Sequence, residues 1–414
     1  MRILNSNDYI LNFLNRALTI GIGILSSSFL NRYLGVELKG EYSYINNVVQ
    51  MIALFLNLGI YQSYSYNYRR KVDNIKQLYS NIFILQFFVN SLVFLFIYIL
   101  NKGLSVELIA IVVPFNILLI QYEGCMLVEN IRFKIKVNII NSIFKLIFSL
   151  FIYLFMPRGL ILPIGMILVV DMFTILMYIK KLKVIPNPFC IEFNFLKEVV
   201  KFGFFPMMTS LLVTMNYNID TIFLKHSVSP YELGLYTTGT GLATYAWIIP
   251  DTFKEVLFSR VAREEGNKSI NLSIKLSLYA IFLVILGVIF GGKLALRILY
   301  GKEFINAYKI TIILFLGIPS MIFFKIIGVL YIAQGRRIFN FIVLLISVII
   351  NVVFNIILIP LYGIYGAAIA SIFSYSICGI TFLWSYCKSN NVAISKLFIF
   401  RKGEIKYLLK RIVE

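Results

Sequence analysis

Three basic residues stand inside long apolar stretches of this chain: Arg16, Lys145 and Lys325. A charge carried into hydrocarbon costs at least about 2.5–3.5 kcal/mol on insertion scales, so a cation that stays there calls for a use. On a helix, Arg16 shares a face with Asn12, Thr19, Gly23 and Ser27, a polar and small stripe among Leu, Ile and Phe. Lys145 has the same company in Asn138, Asn141 and Ser149. Lys325 has Met321 and Gly328 beside it and Gly317 further along. The chemistry open to such residues is anion binding. A guanidinium grips phosphate in a bidentate fork, and an ammonium acts as a point charge. Each cation lies about eight to ten residues from one end of its stretch, roughly 12–15 Å deep at the helical rise. Arg16, Lys145 and Lys325, with Asn12 and Asn141, are therefore the candidate substrate-binding residues. A long cationic side chain can also snorkel to the interface. That use does not require the stripe along Arg16 and Lys145, and for Lys325 both uses stay open.

Carboxylates at depth suit a different chemistry. Asp171 is near the middle of its stretch with Thr174 and Tyr178 on its face, placed for H+ or Na+ coupling or for pairing with Lys145. Asp220 shares a face with Pro206, Thr209 and Asn216; ion coupling and interfacial solvation both account for it. Asp251 follows Pro250 and reads as a helix cap, and Glu123, close to Glu129, as interfacial. Cys125, Cys190, Cys378 and Cys387 lack metal or redox spacing and read as small apolar residues. With a single His226 in a loop, no metal site is expected. No catalytic constellation or cofactor motif is visible, so the chain reads as no enzyme.

The elements that position these residues follow from composition. Of 414 residues, 59% are hydrophobic and 14% charged. A soluble domain carries about 25% charged residues. The mean hydropathy is +0.85. The fold class is all-α integral membrane. The first apolar stretch is longer than a signal h-region and lacks a small-residue cleavage site, so no cleavable signal is expected. Twelve transmembrane helices are read at 9–31, 41–63, 78–100, 106–128, 138–156, 160–180, 199–224, 234–253, 271–291, 305–333, 338–359 and 362–386. Pro206 and Pro319 would bend their helices. This gives an N-terminal lobe at 1–180, a cytoplasmic linker at 181–198, a C-terminal lobe at 199–390 and a basic amphipathic cytoplasmic tail at 391–414.

The formal charge of +20 does not point to nucleic acid, because the basic residues lie between apolar spans. They alternate from connection to connection with a roughly threefold bias, which places both termini on the cytoplasmic side. The tail mixes Leu, Ile and Phe with Lys and Arg, which fits either an interfacial helix on anionic lipid or a positive-inside tail with no further role. The run "YQSYSYNYRR" sets Tyr61, Tyr64, Tyr66 and Tyr68 at the inner end of the second helix, as an aromatic belt or a sugar-stacking surface.

Two passages repeat. "FLNRYLGVELKGEYS" after the first helix matches "FLKHSVSPYELGLYT" after the seventh, and "NIINSIFKLIFSLFIYLFMPRGL" matches "NVVFNIILIPLYGI". Their order implies two six-helix parallel-repeat lobes around a central cavity. "RYLGVELKGEYSYINNVVQMIALFLNLGIYQ", "DTIFLKHSVSPYELGLYTTGTGLATYAWIIPDTFKEVLFSRVAR" and "LIPLYGIYGAAIASIFSY" then carry a resemblance. Over nearly its whole length the chain resembles the bacterial polysaccharide (O-antigen/capsule) flippases of the multidrug/oligosaccharidyl-lipid/polysaccharide exporter superfamily. That resemblance implies export of undecaprenyl-pyrophosphate-linked oligosaccharide by alternating access, for O-antigen (lipopolysaccharide) or capsule synthesis. It implies a multi-pass protein of the bacterial cytoplasmic (inner) membrane. Its partners would be the lipid-linked glycan, the bilayer and other glycan-assembly membrane proteins, without nucleic acid. It implies no cofactor beyond a coupling H+ or Na+. Two rivals stand beside it. A drug/cation antiporter of the same superfamily would be expected to have an acidic cavity, whereas the deep charges here lean basic. A membrane-embedded glycan polymerase would be expected to have a sizeable outer loop, and no outer connection here exceeds about 15 residues.

Overall fold

The computed structural model describes the backbone of residues 6–100, 103–252, 254 and 267–399, and side chains within those ranges except 6–17 and 267–268. Among the described residues the chain is helical, without strands. Bilayer hydrocarbon offers no water to an unpaired amide, and a helix satisfies its own amides.

The helices are α1 (Ser6–Leu56), α2 (Tyr64–Arg69), α3 (Ile75–Leu100), α4 (Leu104–Glu129), α5 (Ile131–Phe155), α6 (Ile161–Leu182), α7 (Phe193–Ser227), α8 (Pro230–Ala246), α9 (Asn267–Leu299), α10 (Tyr308–Ala333), α11 (Arg337–Asn390) and the short α12 (Ser395–Phe398). Among the described residues eight stretches are singly long and apolar enough to cross a membrane, and there are nine if the bent pair of α1 and α2 is taken as one span. Two helices are broken by glycine. Gly35 in α1 has φ 70° and ψ 178°, and Gly363 in α11 has φ 54° and ψ −131°. A side chain is strained in both conformations, and each glycine breaks its helix into two legs. With two legs each from α1 and α11 and one each from α3 to α10, the described residues form twelve helical legs, in agreement with the sequence.

The repeat has a local counterpart. The position that Gly35 takes in the first passage is taken in the second by Ser229, which also interrupts the helix, but through an extended backbone and a capping box. Its hydroxyl accepts from the Glu232 amide, and the Glu232 carboxylate accepts from the Ser229 amide at 3.1 Å.

The chain forms two compact units, residues 1–214 with 299–303, and 215–298 with 304–414. In the first, Leu34, Ile45, Ala53, Val113, Ile117 and Ile152 form one core. Tyr64, Tyr79, Phe83, Tyr122, Met126 and Tyr178 form a second. Outward faces are just as apolar: Leu92, Phe96, Ile99 and Leu100 of α3 are exposed, the pattern of a helix whose solvent is lipid. Of the cysteines, Cys125 and Cys378 are buried as small apolar residues, whereas Cys190 is exposed.

The tyrosine run divides between two roles. Tyr64 is core, not belt or sugar platform: it is buried, and its hydroxyl donates to Glu129 Oε1 at 2.6 Å. Tyr66 stacks on Phe202 of α7 at 4.6 Å between ring centroids. Next to it, Arg70 pairs with Glu198 at 2.9 Å. Gly59 and Gly203 meet main chain to main chain, so that a Cβ on either would run into the other's carbonyl. The stretch leading into α7 is strapped to α3. The side chain of Gln77 donates to Ile185 O at 2.5 Å, and that of Asn81 donates to Cys190 O at 2.8 Å and accepts from the Asn187 amide at 2.9 Å.

Candidate functional site

In the first unit, α5 and α6 present the polar residues singled out in the sequence. Asn141 Nδ2 donates to Thr174 Oγ1 at 2.8 Å, and Thr174 in turn donates to the Val170 carbonyl at 2.7 Å. Lys145 is half-buried one turn on from Asn141. Ser149, the next residue of that stripe, is fully buried and meets Ser26 of α1 at 3.1 Å. The stripe of α5 thus turns toward protein at both ends. Asp171 is 4% exposed, with Asn116 of α4 and Lys145 of α5 as its polar neighbours. Its Oδ2 has no hydrogen-bond partner. The structure brings Asn141 of α5 to Thr174, one turn from Asp171 on α6, with Lys145 on the next turn of α5. Asn116 was missed, since nothing in an apolar stretch marks one Asn as facing an Asp two helices away. Glu123 pairs with Lys134 at 3.5 Å. Arg16 and Asn12 lie outside the residues whose side chains are described.

In the second unit, Asp220 of α7 is 1% exposed. Tyr236 of α8 donates to its Oδ2 at 2.5 Å, Asn355 of α11 donates to Oδ1 at 2.6 Å, and Ser371 of α11 also donates to Oδ2. Among the described residues these partners include no cation. Asn355 Nδ2 also donates to Asn351 Oδ1, which leaves Asn355 Oδ1 and Asn351 Nδ2 buried and without partners. One turn away, Asn216 donates to Ser347 Oγ at 3.0 Å and accepts from Ser374 Oγ at 2.5 Å. A carboxylate out of water, held by three donors and with an unpartnered amide oxygen on Asn355, supplies hard oxygen, the kind that suits H+ or a hard cation. Asp220 was legible from the sequence. Its partners were visible only as repeat marks, Tyr236 in "LGLYT" and Asn351 and Asn355 in "NVVFN". Among the described residues no group of three or more His, Cys, Asp or Glu is placed to hold a metal.

Lys325 of α10 is 9% exposed, and its Nζ donates to both carboxylate oxygens of Asp251, at 2.8 and 2.9 Å. The sequence reading of Asp251 as a helix cap is corrected: its carboxylate is spent on Lys325. The ammonium also lies over Trp247 at 4.9 Å and Tyr217 at 5.8 Å from the ring centroids. Tyr217 and Trp247 stack at 5.3 Å, and Tyr375 meets both edge-on.

Comparison with known proteins places this arrangement. Residues 29–309 match the polysaccharide biosynthesis protein family. The capsular polysaccharide biosynthesis protein CapF of Staphylococcus aureus is 26% identical over 185 residues, 43% of this chain, and the match spans about half the length of that relative, 47%. Among solved structures, the lipid II flippase MurJ in an inward closed conformation has a TM-score of 0.78 at 18% identity, over 91% of this chain and 87% of that one. An inward-facing multidrug resistance MATE family transporter of the MOP superfamily has a TM-score of 0.69 at 14% identity, over 91% and 94%. A MOP superfamily transporter from Pyrococcus furiosus, described as having a binding pocket of reverse polarity, has a TM-score of 0.61 at 15% identity, over 93% and 94%. At these identities the likeness is one of fold. The family match covers most of the chain, and on that ground this multi-pass membrane protein, with cations at depth and two buried carboxylates, belongs to the polysaccharide biosynthesis protein family.

Proposed function

We propose that the chain is a flippase that carries a polyprenyl-diphosphate-linked oligosaccharide, of the undecaprenyl-pyrophosphate class, from the cytoplasmic to the outer leaflet for O-antigen or capsule synthesis. The observation that carries this reading is family membership in polysaccharide biosynthesis on a fold shared with flippases and transporters. Half-buried Lys145, on a polar stripe in the middle of α5, supplies charge of the right sign for a diphosphate.

The physical problem is the sugar. Each hydroxyl moved into hydrocarbon without a partner costs about 2–7 kcal/mol, and an oligosaccharide has many. A polar passage removes that cost while the lipid tail stays in the bilayer. Arg16 and Lys145 draw in the headgroup and Lys325 binds it on arrival, with Asn12 and Asn141 as hydrogen-bonding neighbours. A membrane potential negative inside favours outward movement of the anion by about 2.3 kcal/mol per charge per 100 mV. Where the protein's cations neutralise the headgroup, that help shrinks, and inward flow of H+ or Na+ at Asp220 or Asp171 supplies the drive. The basic-residue bias puts both termini on the cytoplasmic side of the inner membrane, beside the enzymes that assemble the glycan.

The test is genetic and chemical. A strain without the gene should lose its surface glycan and accumulate the lipid-linked oligosaccharide inside. Lys145→Ala and Arg16→Ala should fail to restore export while remaining in the membrane at wild-type levels. Full export by the double variant would refute the anion site. The two buried carboxylates favour a second reading, a cation antiporter; it predicts drug sensitivity on deletion with surface glycan unchanged.

A further inference from the structure

The ion pair in the second unit is an awkward anion site as it stands. Lys325 gives its ammonium to both oxygens of Asp251 and shelters it against Trp247 and Tyr217. The pair is neutral and projects little field toward an incoming headgroup. Its two members are unequally covered: the Lys325 side chain is 9% exposed and that of Asp251 30%. The carboxylate is the more accessible member of the pair, and the ammonium the more covered.

To an ammonium, a carboxylate and a phosphate are the same kind of partner, an anionic oxygen acceptor. They differ in charge. A single carboxylate carries one negative charge and a diphosphate ester about two. A monoanion has no electrostatic advantage over the resident carboxylate; a dianion has.

We infer that Asp251 occupies the place of the substrate's phosphate on Lys325 while the site is empty, and yields that place to a diphosphate. This rests on the flippase reading above and adds a specificity device to it. Asp251 is a positioning residue. It holds the ammonium at the aromatic cluster formed by Tyr217, Trp247 and Tyr375, and it sets a threshold that favours polyanionic headgroups over singly charged ones.

The cluster provides its own reporter, because Trp247 is one of two tryptophans in the chain and touches the ammonium. With Trp384→Phe as background, Trp247 emission of the purified full-length protein in detergent is followed while inorganic pyrophosphate or dimethyl phosphate, a monoanion, is added. Pyrophosphate should shift the emission, and dimethyl phosphate should require at least tenfold more. Asp251→Asn should lower the half-saturating pyrophosphate concentration at least tenfold, a gain that a purely structural strut would not produce. Lys325→Met should abolish the response. The charge swap Asp251→Lys with Lys325→Asp keeps a neutral pair, so it guards against loss of folding. It should remain monodisperse yet neither respond to pyrophosphate nor restore glycan export.

An Asp251→Asn half-saturation equal to or weaker than wild type would overturn the inference. So would a charge-swapped protein that exports glycan normally, or a Trp247 that ignores pyrophosphate in every variant. The flippase reading fails separately, if deleting the gene leaves surface glycan intact. Trp247 titration and glycan export are thus independent readouts.

Discussion

Replacing Asp220 separates two roles for the carboxylate, as a structural acceptor and as a cation ligand. Asp220→Ala leaves three donors without their acceptor: the Tyr236 hydroxyl, the Asn355 amide and the Ser371 hydroxyl. In water-soluble proteins each buried unpaired group costs about 1–3 kcal/mol, which would sum to most of a protein's stability. The smaller scale applies here, because chains unfolded within a membrane also find partners. Interhelical polar contacts in membrane proteins average about 0.6 kcal/mol, so three lost contacts should cost about 2 kcal/mol. Asp220→Asn keeps the shape and one oxygen, and hydroxyls can rotate to accept from its amide, so its cost should stay below about 1 kcal/mol. The cation role has a different signature. A cation bound only by the folded protein stabilises it by about 2.7 kcal/mol at a hundred times its dissociation constant. Unfolding free energies measured by dodecyl sulfate titration, in Na+ and again in choline, read both quantities. Wild type should gain stability in Na+, whereas Asp220→Asn should be equally stable in the two salts. Equal Na+ stabilisation of wild type and Asp220→Asn would refute the cation reading. A cost for Asp220→Ala below about 0.5 kcal/mol would refute the network.

The same titration checks three further expectations. Ser229→Ala breaks the capping box at the start of α8 and should cost about 1 kcal/mol. Arg70→Ala removes an ion pair whose side chains are 55% and 56% exposed, so the loss should stay under about 1 kcal/mol and shrink in high salt. Gly203→Val drives a side chain into the Gly59 main chain, with no rotamer to relieve it; it should destabilise by more than 2 kcal/mol, in the range of overpacked cores, or prevent accumulation in the membrane.

What was legible in the sequence was what repeats or averages. Twelve legs follow from hydropathy, which sums over about twenty residues and tolerates local error. The break at Gly35 and its counterpart at Ser229 follow from the repeated passage. Asp171, Asp220, Lys145 and Lys325 stood out because ionisable residues are rare in apolar stretches. Partners did not stand out. Asp251 looked like a cap because it sits after a proline, and only the fold brings it to a lysine on another helix. Tyr64 looked like its neighbours Tyr61, Tyr66 and Tyr68, yet one turn of helix decides whether a ring meets Glu129 or the surroundings. Asn116 resembles any other polar interruption of a span until the Asp171 carboxylate is seen beside it. Such pairings depend on rotation about the helix axis, which composition does not encode.

The strap between α6 and α7 bears on where mutation is tolerated. Its anchors are the side chains of Gln77 and Asn81, but what they hold is peptide: the carbonyls of Ile185 and Cys190 and the amide of Asn187. The side chains of Ile185 and Phe189 hang free at 85% and 93% exposure. Those two positions should accept many side chains, proline excepted, because the Ile185 amide donates to Gln77 Oε1 at 3.3 Å and the Phe189 amide to Asn187 Oδ1 at 3.0 Å. Much of the instruction for that crossing is therefore written in another helix, and natural variants should drift at positions 185 and 189 while Gln77 and Asn81 stay put.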